Sequence, residues 1–171
     1  MTPDTVAPVW ETDAAVLPVI VAAAIAAVAC VGLHAEVVCR LAAWGDATKR
    51  SLRLVLPSCV LVLLATHIVQ VHIFALVHFV VEKIYGERVG ILSMAAAGSL
   101  TERIYFSGVV FSTLGFGDIV PFGPLRLLVA VESITGLMLI AWSATLTYGV
   151  LERANFSPLA KREAERSSGR R

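Results

Sequence analysis

The chain has 171 residues, of which 57% are apolar and only 16% charged. A soluble domain of this size carries about a quarter charged residues, so the composition excludes an ordinary soluble globule and points to an integral membrane protein. The net charge of +1 selects no nucleic acid or other polyionic partner, and three cysteines, Cys30, Cys39 and Cys59, suggest neither a disulfide framework nor a zinc site.

The residues before the first apolar run include Asp4, Glu11 and Asp13 but no Lys or Arg. That is the reverse of a cleavable leader's charged start, so the run is expected to be retained. It extends from Ala14 to Leu33, twenty residues without a charge, enough to cross a hydrocarbon core of about 30 Å. Its Ala-rich middle, Val21 to Ala29, offers a small face for close helix contact in lipid. Trp10 and Trp44 flank it as interfacial anchors would. A polar loop is expected from His34 to Arg53.

The second run, Leu54 to Val81, has 28 residues without a formal charge and holds His67, Gln70, His72 and His78. As a helix it would extend roughly 42 Å, so it should tilt or protrude. No two of its histidines have ligand spacing along a helix, which argues against an intrachain metal site. Interhelical hydrogen bonding is the expected role, with pH sensing as a lesser reading.

A segment of another kind follows, Ser99 to Ser112, too short to span. Ser99-Leu100-Thr101-Glu102 fits a capping box and should start a helix near Leu100. Running through Ile104, Tyr105, Phe106, Val109, Val110 and Phe111, that helix would reach only about 20 Å. A short apolar helix followed by a Gly-rich turn reads as a re-entrant element, in and back out on one side. Irregular backbone at membrane depth is tolerated only where protein or a water-filled path surrounds it, so a pore or cavity is implied. The third run, Leu127 to Leu151, is interrupted only by Glu132, and Pro124 before it suits a helix's first turn.

Charge placement gives the orientation. Arg40, Lys49, Arg50 and Arg53 follow the first run, and Arg153, Lys161, Arg162, Arg166, Arg170 and Arg171 follow the third. Together they are ten of the fourteen basic residues. Two crossings separate the groups, so they share one side, and the positive-inside rule makes it the cytoplasm. The N-terminus and the re-entrant segment are then outside and the C-terminus inside.

Thr113-Leu114-Gly115-Phe116-Gly117-Asp118 follows the short helix. A cation crossing lipid must replace its lost water oxygens, and rings of backbone carbonyls can supply them, as TVGYG loops do. Aiming successive carbonyls at one axis requires left-handed residues, which glycine enters at little steric cost, and Gly115 and Gly117 have the alternate spacing. Thr113 can add a hydroxyl ring, while Leu114 and Phe116 should point away from the axis and wedge against the short helix. A nucleotide loop would need a βαβ setting, and none is readable.

Ser112 to Asp118 followed by Pro121 resembles the pore signature of the potassium channel superfamily, in its small bacterial two-span pore-module branch. The resemblance covers roughly Leu54 to Arg153, with the first span outside it. Leu114 for the usual Val or Ile, and Phe116 for the usual Tyr, are departures, and Phe116 lacks a hydroxyl that braces some filters. The resemblance implies K+ sites at the carbonyls of Thr113, Leu114, Gly115 and Phe116, with Gly117 completing the filter. It implies a homotetramer too, because one loop cannot enclose a pore.

Asp118 would attract cations at the filter entrance or brace the filter from behind. Gly136 is a candidate gating hinge by the resemblance, or a packing glycine. Glu132, the only carboxylate inside a span, is a candidate brace for the pore helix. The expected fold is all-α and integral to the membrane: three transmembrane helices plus a re-entrant pore helix and selectivity-filter loop in a tetrameric, potassium-channel-like pore. Residues 1–53 would form the outer N-terminus, peripheral span and cytoplasmic loop, 54–153 the pore domain, and 154–171 a short cytoplasmic tail. The expected function is passive potassium conduction across the plasma membrane, with a weakly selective cation channel or a non-conducting sensor subunit as alternatives. No catalytic residue, cofactor or soluble ligand is expected; K+ is the permeant ion.

Overall fold

The computed structural model describes residues 13–47, 52–86 and 99–168. Four helices follow one another: α1 (Asp13–Ala47), α2 (Leu52–Tyr85), α3 (Leu100–Phe111) and α4 (Leu125–Ser168). Three of them are long and apolar enough to cross a membrane, over Ala15–Gly45, Arg53–Tyr85 and Leu125–Glu152. The fourth, α3, has 12 residues, about 18 Å of helix.

Two elements are longer than hydropathy indicates. The expected polar loop after Leu33 is helical as far as Ala47. Its charges do not break the helix because Glu36 and Arg40, one turn apart, pair at 2.6 Å on the exposed face, in the favourable order with the acid N-terminal. The polar tail likewise continues α4 to Ser168 rather than leaving the helix at Leu151. The acidic leader with Trp10, and Lys49, Arg50, Arg170 and Arg171, lie outside the described residues.

The helices pack through a common core. Along α1 one stripe is buried: Ala15, Val19, Ala23, Ala26 and Cys30, with His34 continuing it. The three- and four-residue steps keep it on one helical face. Lipid tails are as apolar as Leu, so helix association in a bilayer depends on close fit and hydrogen bonds more than on apolar burial. Ala23 and Ala26, both 1% exposed, supply the close fit. That face meets two partners, because α1 packs on α2 and also lies along α4. A second cluster, Leu41, Val55, Cys59 and Leu63, joins the other end of the bundle with Leu146 and Val150.

Candidate functional site

The short helix α3 is held at its start, middle and end. At the start, the Ser99 hydroxyl accepts the backbone N–H of Glu102 at 3.3 Å, as the capping box requires. One turn on, buried Arg103 donates through Nε to Glu82 Oε2 of α2 at 2.9 Å, makes a second contact with the same oxygen through Nη2, and lies over the Phe79 ring. A guanidinium with two donors on a carboxylate and a face on a ring is fixed in direction. It ties the entry of α3 to the last turns of α2.

In the middle, Ser107 is fully buried and its hydroxyl meets two acceptors, the Val71 carbonyl of α2 at 2.9 Å and Glu132 Oε1 of α4. The other oxygen of Glu132 lies 2.8 Å from His78 Nε2 of α2. His78 and Glu132 are both 0% exposed. Glu132 therefore joins α4 to both α3 and α2, and lies among helices rather than on a lipid face. His78 Nδ1 is buried without a partner.

At the end, α3 abuts α4 at Gly136. A Cβ added there would lie 2.1 Å from the Phe111 carbonyl oxygen. Only the absence of a side chain permits this approach. Gly136 thus has a packing role in plain view, and α4 runs through it as unbroken helix.

The way α3 ends sets the backbone that follows. Thr113 N–H donates to the Val110 carbonyl at 2.9 Å and Leu114 N–H to the Val109 carbonyl at 3.0 Å. These are the two bonds of a Schellman end, which places the residue past the cap in the left-handed region. That residue is Thr113, with φ 62°, and Gly115 (57°) and Gly117 (79°) repeat the sign at alternate positions. Leu114 and Phe116 between them keep negative φ. Alternating handedness turns successive peptide groups toward one side of the chain, as a loop that lines a path with backbone carbonyls requires. The two glycines are where the spacing indicates. Thr113 was legible only from the helix end, since a β-branched residue is an outlier at positive φ.

Residues Ser112 to Asp118 are all exposed. The expectation that Leu114 and Phe116 wedge against α3 is not met within one chain, where they are 62% and 65% exposed. Nothing in their own chain covers either side chain. Asp118 is braced from behind instead, accepting the Tyr105 hydroxyl of α3 on Oδ2 at 2.8 Å and the Ile119 N–H on Oδ1 at 3.0 Å. Sequence reasoning missed Tyr105, Ser107, Arg103 and Glu82 as supports. Ionisable groups inside spans each call for a partner, but nothing in the sequence pairs His78 with Glu132.

Of the other histidines, His72 bonds only the Ile68 carbonyl of its own helix, at 2.7 Å, whereas His67 reaches Ser143 of α4 at 2.9 Å. Among the described residues no three His, Cys, Asp or Glu side chains cluster to hold a metal ion.

Comparison with known proteins identifies the family. The chain is 45% identical over 58 residues to the uncharacterized membrane protein YdjJ of Bacillus subtilis, covering 33% of this chain and 17% of that protein. It is 34% identical over 64 residues to the inward rectifier potassium channel Kirbac3.1 of Paramagnetospirillum magnetotacticum, covering 37% of this chain and 22% of that one. It thus matches about a fifth of the length of these relatives. No solved structure matches significantly. A family model described as "Ion channel" matches residues 59–153, from the second turn of α2 into α4. That is more than half of the chain, which therefore belongs to the ion channel family, within the potassium channel superfamily.

Proposed function

We propose that four copies of the chain assemble around one axis as a potassium-selective channel in the plasma membrane. The carbonyls of Thr113, Leu114, Gly115 and Phe116 replace the hydration of K+. The observation that carries this reading is the alternating left-handed backbone at Thr113, Gly115 and Gly117, delivered by a capped half-helix. The exposure of Leu114 and Phe116 supports the tetramer, because the wall they need must come from neighbouring chains. The relative whose name specifies an inward rectifier potassium channel supports the choice of ion.

In this arrangement residues 54–153 form the pore domain, residues 1–53 the outer N-terminus, peripheral span and cytoplasmic loop, and 154–171 a cytoplasmic tail. The basic residues on either side of the pore module favour a cytoplasmic C-terminus and an outer filter. Four Asp118 carboxylates at the entrance raise the local cation concentration. The C-terminal end of each α3 presents its negative pole toward the cavity, which favours a cation there.

A weakly selective cation pore is the second reading, favoured by Phe116, which has no hydroxyl to brace the filter. Reconstituted protein in liposomes separates the two. Potassium flux blocked by barium, a reversal potential set by potassium against sodium, and loss of flux in Gly115→Ala and Gly117→Ala are expected. Equal potassium and sodium permeability would leave the weakly selective pore. A tetramer without flux would make the protein a non-conducting subunit.

A further inference from the structure

The first span lies outside the matched pore module, yet its one buried histidine is bound to the other helices. His34 of α1 is 0% exposed. Its Nδ1 lies 3.4 Å from Gln70 Nε2 of α2, and its Nε2 lies 3.4 Å from Ser143 Oγ of α4. His67 of α2 faces the same two residues, with Nδ1 2.9 Å from Gln70 Oε1 and Nε2 2.9 Å from Ser143 Oγ. The two imidazoles stack at 5.4 Å between centroids. Gln70 Nε2 also donates to the Cys30 carbonyl of α1 at 3.1 Å.

Counting donors and acceptors closes these contacts into a ring. Gln70 Oε1 can only accept, so His67 carries its proton on Nδ1 and accepts at Nε2 from the Ser143 hydroxyl. Ser143 has then used its one proton and accepts from His34 Nε2–H. His34 Nδ1 is left as an acceptor for one Gln70 N–H, and the other goes to Cys30. Every link has one donor and one acceptor. A polar residue at this depth is costly unless so satisfied, and removing one member breaks the sequence for the rest.

The ring touches the base of the pore helix. The His67 ring lies 5.8 Å from that of Phe111. Phe111 is 2% exposed and ends α3 against Gly136, one residue before the cap that puts Thr113 into its left-handed conformation. We infer that His34, Gln70, Ser143 and His67 are positioning residues through which the first span sets the seat of the filter. This rests on the channel reading above. The first span is then a part of the pore's support rather than a lipid-facing companion.

A mutant cycle on the full chain in liposomes tests it, reading the potassium-to-sodium permeability ratio and barium block beside thermal stability. His34→Leu and Gln70→Leu should each lower the ratio about threefold, the weight of one average interhelical hydrogen bond in a membrane. The double variant should fall no further than the larger single, because both break one ring. His34→Gln, which keeps a donor and an acceptor, should recover the ratio. Ile25→Ala, on the exposed face of α1, should leave it unchanged. If His34→Leu fails to assemble, Ser143→Ala reads the same ratio, and a fall there supports the inference. Conducting variants with an unchanged ratio, or additive losses in the double variant, overturn it. Absence of flux in the unmodified chain overturns the channel reading, and this inference with it.

Discussion

The stretch from Ser112 to Asp118 and the helix that delivers it are built on opposite principles. The stretch is exposed along its whole length, and its shape comes from backbone handedness at Thr113, Gly115 and Gly117. The helix is held by both long helices beside it: Arg103 on Glu82, Ser107 on Glu132 and the Val71 carbonyl, Phe111 on Gly136. In the proposed tetramer, a rigid seat would allow this stretch to stay bare until neighbouring copies complete it. Damage to the contacts that hold the seat should therefore read out first as lost stability, with ion discrimination following only where the seat moves the stretch. Damage to the stretch should read out as lost ion discrimination at little cost in stability. Substitutions that violate this division would break the comparison.

The largest expected effect is at Glu132. Glu132→Ala leaves buried His78 without its carboxylate, at about 1–3 kcal/mol, and Ser107 with the Val71 carbonyl alone. Together with the void left by the deleted side chain, the loss should reach about 3 kcal/mol or more and show as failure to recover assembled protein. Glu132→Gln, which keeps the shape and puts one acceptor and one donor in place of the two oxygens, should retain most of the stability. Next is Gly136→Ala, whose Cβ would meet the Phe111 carbonyl at 2.1 Å. Overpacking of this kind costs about 1–3 kcal/mol, and an obstacle of backbone places it at the upper end. Thermal unfolding should detect the loss. An unchanged midpoint with altered channel opening would instead make Gly136 a hinge.

What the sequence made legible was local. The cap at Ser99, the glycine alternation and the apolar runs each depend on neighbours within a few residues. What it hid depends on distance. His78 and Glu132 are 54 residues apart, and nothing in either span's periodicity pairs them. The extension of α1 past Leu33 was hidden for another reason. Glu36 and Arg40 look like loop residues to a hydropathy reading, although one turn apart they support a helix. Leu114 and Phe116 have no wall in their own chain, so no reading of one chain could place them. Thr113 is the instructive middle case. Its handedness contradicts its β-branched side chain and follows from the two Schellman bonds that end α3.

Thr113→Gly therefore separates shape from chemistry. Glycine relieves a left-handed L-residue, worth roughly 1–2 kcal/mol, so the variant should unfold at a higher temperature. The same change deletes the hydroxyl, and potassium selectivity should fall. Opposite signs for the two measurements sharpen the division between seat and stretch. A loss of stability would mean that the hydroxyl, not the handedness, is what Thr113 contributes to the fold.

The smallest effect on stability is expected at Tyr105, where seat and stretch meet. Its hydroxyl donates to Asp118 at 2.8 Å on an exposed face outside the three spans. That hydrogen bond, then partial burial and the nearby carboxylate charge, hold the phenol above its ordinary value near 10. The sign follows from which form is favoured. A phenol raised in the folded protein stays protonated there, so its contribution is complete below about pH 10 and is lost as pH rises through the raised value. Across the neutral range the brace does not vary with pH, and Tyr105→Phe should lower the thermal midpoint only slightly, as the loss of one exposed hydrogen bond does. Its effect should fall on Asp118, which loses one of two donors and gains freedom at the filter entrance. Flux in the unmodified chain should therefore decline above about pH 10 toward that of Tyr105→Phe, whose own profile is flat there. Parallel declines in both proteins would place the alkaline sensitivity elsewhere and leave Asp118 held by Ile119 alone.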